Sequence, residues 1–208
     1  VDTGAAMGRN VCALITDMNQ PLGRTVGNAL EIRESLEILS GKGPGDAQGL
    51  TIELATHMLR AAGDHGHEGG AMDPALYLAN GSAMDTFRKM VVCHGGDLDK
   101  ALPEAEHRVP LPAPTSGCIA RADAETIGRA SLLLGAGRTR TTDDIDPATG
   151  ISSLKKIGES IGEGEPLCVL HANGHAGDQQ ALELLESAFE ISPDPVEPPP
   201  LILEKISS

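Results

Sequence analysis

TDMNQPLGRTVGNALEIRE, residues 16–34, changes character in the middle. Upstream, NVCALIT (residues 10–16) is an apolar run of strand length, and its Val and Ile content predicts a buried strand. DMNQPLG supplies Asn, Pro and Gly for a polar turn. From Thr25 to Leu39, Ala29, Ile32, Leu36 and Leu39 recur at i, i+3, i+7 and i+10, with Arg33 and Glu37 four apart on the outer side, which predicts a helix. A strand, a turn and a helix start in that order place backbone groups where open α/β sheets bind ligands. Taken alone, the pattern suits a connecting loop whose Asp17 and Asn19 satisfy turn amides better than it suits a ligand site.

Working outward, GKGPGD from Gly41 ends that helix, and Ile52, Ala55, Leu59 and Ala62 predict a second one up to Gly63. GDHGHEGG, residues 63–70, reads as a polar loop. Asp73-Pro74 provides an N-cap and an N1 proline for a short helix to Ala79, and Ser82 with Asp85 has capping-box spacing for another from Ala83 to Cys93. The composition then shifts. VPLPAPTSGCIARA, residues 109–122, suits edge strands and turns and sets a domain boundary near residue 105. Beyond it, Asp123 can cap a helix ending at LLLGAG, glycines divide short strand-like runs over 150–172, and a helix carries Leu182, Leu185 and Phe189 inward before a closing strand, LILEKIS. The fold class expected is α/β over 1–104 followed by α+β over 105–208.

Composition removes several function classes. Sixteen Lys and Arg against thirty Asp and Glu give −14, a surface that repels phosphate-coated partners, and Tyr77, Phe87 and Phe189 are too few aromatics to stack bases. No nucleic-acid partner is expected. No apolar run approaches membrane-spanning length, and none is expected to bind a membrane. The acidic run without Lys or Arg from Ile157 to Glu204 reads as a solvated face. Cys12, Cys93, Cys118 and Cys168 show no CxxC pair and read as reduced thiols of a cytoplasmic protein.

The segment TDMNQPLGRTVGNALE resembles the signature of pyrimidine-nucleoside and thymidine phosphorylases. GDAQGLTIELATHML, FRKMVVCHGGD, SGCIARADAETIGRASLLLGAGRTRTTDDIDPATGI and KKIGESIGEGEPLCVLHAN are similar to later parts of that family in the same order. The resemblance implies part of the family's central α/β domain, then a C-terminal domain of hammerhead or barrel-sandwich type. It also implies a reaction: phosphate, as co-substrate, attacks the anomeric carbon of a pyrimidine nucleoside, releasing the base and a pentose 1-phosphate. The Lys/Ser/Thr/Gly phosphate loop and base-contacting cations that such chemistry needs are not recognisable here. They are expected upstream of Val1, and the 208 residues alone are expected to be inactive. A homodimer is implied for the full-length protein and no organic cofactor. An AMP phosphorylase relative is the alternative within the enzyme class.

The same resemblance implies a potassium site, with main-chain oxygens of Leu22 and Thr25 and the carboxylate of Glu34 as ligands. Oxygen donors suit a hard cation. Thr25 stands where the family commonly has alanine, and the competing expectation for Glu34 is a solvent-facing helical glutamate. Other candidates are weaker. GAGR, residues 135–138, follows LLL at a helix C-terminus, where glycine stops a helix and phosphate does not bind. IGESIGEGEPLCVL, residues 157–170, is similar to the hairpin of biotinyl and lipoyl carriers, a rival binding-module reading that requires an exposed lysine, and Lys155-Lys156 stands in SLKKIG instead. His65 and His67, and His171 and His175, are expected to be solvated or locally bonded rather than zinc ligands.

Overall fold

The computed structural model describes residues 1–62, 73–138, 140–175 and 177–207; the GDHGHEGG loop with His65 and His67 lies outside them. In chain order the elements are α1 (Asp2–Ala6), β1 (Cys12–Thr16), α2 (Asn28–Leu39), α3 (Gly45–Ala61), α4 (Pro74–Ala79), α5 (Ser82–Cys93), β2 (His107–Pro112) and β3 (Gly117–Ala122). Then follow α6 (Ala124–Ser131), β4 (Gly150–Ser152), β5 (Ser160–Ile161), β6 (Pro166–Ala172), α7 (Asp178–Ala188), β7 (Phe189–Ser192) and β8 (Ile202–Ser207). None of the described helices is long and apolar enough to cross a membrane.

Two compact units divide the chain, and neither is contiguous. One comprises Val1–Asp17, Leu36–Leu98 and Pro200–Ser208; the other comprises Met18–Ser35 and Asp99–Pro199. The spatial division therefore crosses the boundary expected near residue 105, because Met18–Ser35 packs with the later residues.

In the first unit, β1 pairs antiparallel with β8 in a two-stranded sheet. The expected buried strand is thus half-exposed: Ile15 retains 45% of its surface, since an apolar run of this length does not reveal whether both its faces are covered. Asp73 caps α4 as predicted, its Oδ1 accepting the Ala75 N–H at 2.9 Å. The capping box does not form. Left-handed Gly81 precedes α5, and Ser82 Oγ donates instead to Asn80 Oδ1 at 2.6 Å.

The second unit carries the main core. Two antiparallel three-stranded sheets, ordered β2-β6-β4 and β5-β3-β7, contribute Leu111, Ile119, Ile151, Ile161, Leu167 and Leu170 to it. Ile127 of α6, Leu134, and Ala181, Leu185 and Ala188 of α7 pack into it as well. Ile119, Ile127, Leu134, Ile151 and Leu185 are each fully buried, worth roughly 1.5–3 kcal/mol apiece. The sheets do not close into the expected barrel: they are separate in hydrogen bonding, and β4 and β5, of three and two residues, are too short to bridge them. Pro110 and Pro112 sit on edge strand β2, as their missing N–H groups require, whereas β3 is central rather than an edge. Asp123 Oδ1 accepts the Thr126 N–H at 2.8 Å and caps α6, and hydrogen bonding from the Thr126 side chain, followed by that N–H, holds the carboxyl below its usual range. Gly135, at φ +93°, ends the helical run through LLLGA.

Candidate functional site

Helix α2 begins at Asn28 rather than Thr25, after an isolated bridge that pairs Val26 with Ile151 inside the second unit. Val26 and Ile151 exchange two bonds, Val26 N–H to Ile151 O at 2.9 Å and Ile151 N–H to Val26 O at 2.8 Å. The approach needs glycine on both sides. A Cβ at Gly27 would lie 2.6 Å from Thr149 O, and one at Gly150 would collide with Val26 O.

The turn between Met18 and Thr25 is fastened to residues 154–159, all within the second unit. Gln20 Oε1 accepts the Ile157 N–H at 3.0 Å. The Lys156 ammonium donates to Pro21 O and, at 3.1 Å, to Gly23 O. Arg24 forks onto Glu159, with Nη1 to Oε2 at 3.1 Å and Nη2 to Oε1, while Nη1 also donates to Leu154 O at 3.0 Å. The Arg24 carbonyl accepts the Leu154 N–H at 3.1 Å. The guanidinium bonds hold the Glu159 carboxyl below its ordinary value, outweighing the opposing effect of burial.

Glu34 comes onto this turn from α2. It is buried, at 9% exposure, and its Oε1 accepts the Arg24 N–H at 2.9 Å. The expectation of a solvent-facing glutamate is therefore overturned, because the turn folds back over the first helical turns. Gly23 makes this possible: its φ is +72°, and a Cβ there would collide with Glu34 Oε2. The Leu22 side chain is exposed at 47%, so only its main chain is available to a site. Thr25 Oγ1 is buried with no hydrogen-bond partner. An oxygen-only donor set, a buried carboxylate, a glycine cradle and an unpartnered hydroxyl oxygen fit a hard monovalent cation.

Other sequence candidates resolve differently. Lys156 is not an exposed hairpin tip, since its ammonium is bonded to two carbonyls, and this removes the carrier-lysine reading at that position. His171 is buried, its Nε2 2.8 Å from Ser152 Oγ, and burial followed by the charges of Arg108 and Arg33 pushes its pKa down. His175 Nε2 lies 3.1 Å from Asp146 Oδ2, which also accepts Asn173 Nδ2 at 2.6 Å. Among the described residues, no three His, Cys, Asp or Glu side chains converge as a zinc site built from side chains would require. Lys156, Ile157 and Glu159 were not legible as partners of the motif, because about 135 residues separate them from the residues they bond and no local pattern signals such a contact.

Comparisons with known proteins agree with the motif. Residues 118–192 match the pyrimidine nucleoside phosphorylase C-terminal domain. A thymidine phosphorylase from Mycobacterium tuberculosis is 43% identical over 206 residues, covering 99% of this chain and 47% of that protein. A pyrimidine-nucleoside phosphorylase from Geobacillus stearothermophilus is 36% identical over 217 residues, 100% of this chain and 49% of that protein. One from Staphylococcus aureus is 37% identical over 208 residues, 95% of this chain and 47% of that protein. The chain spans about half the length of the curated relatives it matches. By its motif, its C-terminal domain and identity along nearly its whole length, the chain is similar to part of the pyrimidine-nucleoside and thymidine phosphorylases.

Proposed function

We propose that this chain is part of a pentosyltransferase in which phosphate attacks the anomeric carbon of a pyrimidine nucleoside, releasing the base and a pentose 1-phosphate. The observation that carries the reading is the 43% identity to a thymidine phosphorylase over 99% of the chain. The chain's own contribution is the Pro21–Thr25 turn with Glu34, which would hold a potassium ion through the main-chain oxygens of Leu22 and Thr25 and the Glu34 carboxylate. When bound, the ion supplies positive charge that offsets phosphate's negative charge. Glu34 balances the ion and, through its bond to the Arg24 amide, orients the turn. The complete enzyme is proposed to be a cytoplasmic homodimer that uses phosphate as co-substrate and no organic cofactor, with residues 118–192 belonging to its C-terminal domain.

The test uses the protein encoded by the whole reading frame containing this chain, assayed for phosphate-dependent release of thymine and uracil from their nucleosides. Glu34→Gln keeps the shape and removes the charge. The potassium concentration needed for activity and the phosphate KM are both expected to rise, with a smaller change in nucleoside KM. Thr25→Ala retains the main-chain ligand and is expected to keep nearly wild-type potassium dependence. Superimposable potassium curves for wild type and Glu34→Gln would refute the ligand assignment, and absence of base release by the wild type would refute the reaction.

A further inference from the structure

We propose that Lys156 is a positioning residue for the cation-binding turn, an internal ammonium that fixes the path of the main chain on both sides of the Leu22 carbonyl without touching it. The inference rests on the cation reading above. Its basis is the order of peptide planes along the turn. The Pro21 carbonyl lies in the plane joining residues 21 and 22, and the Gly23 carbonyl in the plane joining 23 and 24; Lys156 Nζ donates to both. The plane between them carries the Leu22 oxygen. Holding both neighbours fixes the Leu22 and Gly23 Cα atoms between which this planar unit is strung, and so fixes where along the turn the Leu22 oxygen is presented. The 23–24 plane is anchored a second time by the Arg24 N–H on Glu34. The Thr25 oxygen is held separately, since its plane contains the Val26 N–H bonded to Ile151 O at 2.9 Å. One proposed main-chain ligand thus depends on Lys156 and the other does not.

Lys156 is itself mounted rigidly. Its N–H donates to Glu159 Oε2 at 3.0 Å, and its carbonyl accepts the Glu159 N–H at 3.0 Å. The turn they close is bonded on both sides to Ile119 of β3, Gly158 N–H to Ile119 O and Ile119 N–H to Glu159 O, each at 2.9 Å. Ile119 has no exposed surface, so the clamp is rooted in the core. An ammonium suits this task because it has three donors and can serve two carbonyls from one atom.

The test compares the wild-type protein encoded by the whole reading frame containing this chain with its Lys156→Met, Lys156→Arg and Glu159→Gln variants by amide hydrogen exchange and by melting in potassium chloride against tetramethylammonium chloride at equal ionic strength. In Lys156→Met, exchange of the Gly23 amide, which shares the Leu22 carbonyl's plane, is expected to accelerate by about tenfold or more while Val26 and Ile151 amides keep their protection. The potassium concentration giving half of the stabilisation is expected to rise in parallel. Lys156→Arg, which keeps a charged donor, is expected to restore most of both effects. Glu159→Gln leaves the ammonium in place and serves if Lys156→Met loses Val26 protection and hence the fold; it is expected to produce a smaller acceleration at Gly23. Unchanged Gly23 exchange in the variants would overturn the proposal, as would faster exchange with an unmoved potassium midpoint. A wild type that gains nothing specific from potassium would refute the cation assignment itself, and the positioning role with it.

Discussion

Gly150→Ala should unfold the contact on which the motif's placement depends. Gly150 has φ +145°, and an added Cβ would collide with Val26 O while lying 3.0 Å from Gly27 Cα and 3.1 Å from Leu30 Cδ1. Two of these atoms belong to backbone, so side-chain rotation cannot relieve the clash. Val26 must withdraw from Ile151, which breaks the bonds of 2.9 and 2.8 Å between them. Two hydrogen bonds at about 1 kcal/mol each, plus roughly 1–2 kcal/mol of backbone strain, give about 3–4 kcal/mol. For a chain of this length that corresponds to a fall in Tm of roughly 6–16 °C. Gly128→Ala is the control: Gly128 lies in α6, has no positive φ, and a Cβ there meets nothing within 4 Å. It should stabilise by about 0.5–1 kcal/mol, because alanine favours helix. Circular dichroism melting combined with hydrogen exchange at Ile127 reads the second unit. If Gly150→Ala melts within about 1 °C of wild type, the backbone contact argued here is wrong.

Native alkylation with iodoacetamide should label the exposed Cys12 and Cys93 and spare the buried Cys118 and Cys168, the last having its thiol pushed up to about 12 by burial. Labelling of Cys168 at the rate of Cys93, followed by peptide mass analysis, would contradict that. His171 binds its proton only below the ordinary histidine value of 6.5, so the unfolded chain takes up the proton first. Its contribution to stability should be complete above that pH and fall away on acidification, and His171→Gln should flatten this part of a urea-stability profile. An unchanged profile in the variant would refute the assignment.

Local chemistry was legible where it is local. Asp73 and Asp123 could be recognised as caps because capping is decided within three residues, and Gly135 as a helix stop because its neighbours define the helix end. Strand environment was not legible. NVCALIT contains the residues of a buried strand, yet burial depends on what lies beside it, and β3, surrounded by prolines, turned out to be central. Of the candidate site, Glu34 came from family resemblance alone; helical periodicity would have left it facing solvent. Its burial follows from the left-handed Gly23, which lets the turn fold over it. Arg24–Glu159 and Lys156 could not be anticipated, since a contact across about 135 residues is written in no window of sequence.

The fastening of residues 18–27 to 147–159 also bears on how such chains can recombine. A chimera that exchanges only residues 105–208 with a relative would bring a foreign 154–159 segment against the resident turn, separating Arg24 from Glu159 and Lys156 from its carbonyls unless the donor carries matching residues. The better crossover takes Met18–Ser35 along with Asp99–Pro199, so that the inherited block is discontinuous in the gene while whole in space. Substitutions at positions 24 and 159 are accordingly expected to be accepted in pairs during divergence, and a laboratory library that shuffles at residue 105 should recover function chiefly from parents that share both residues.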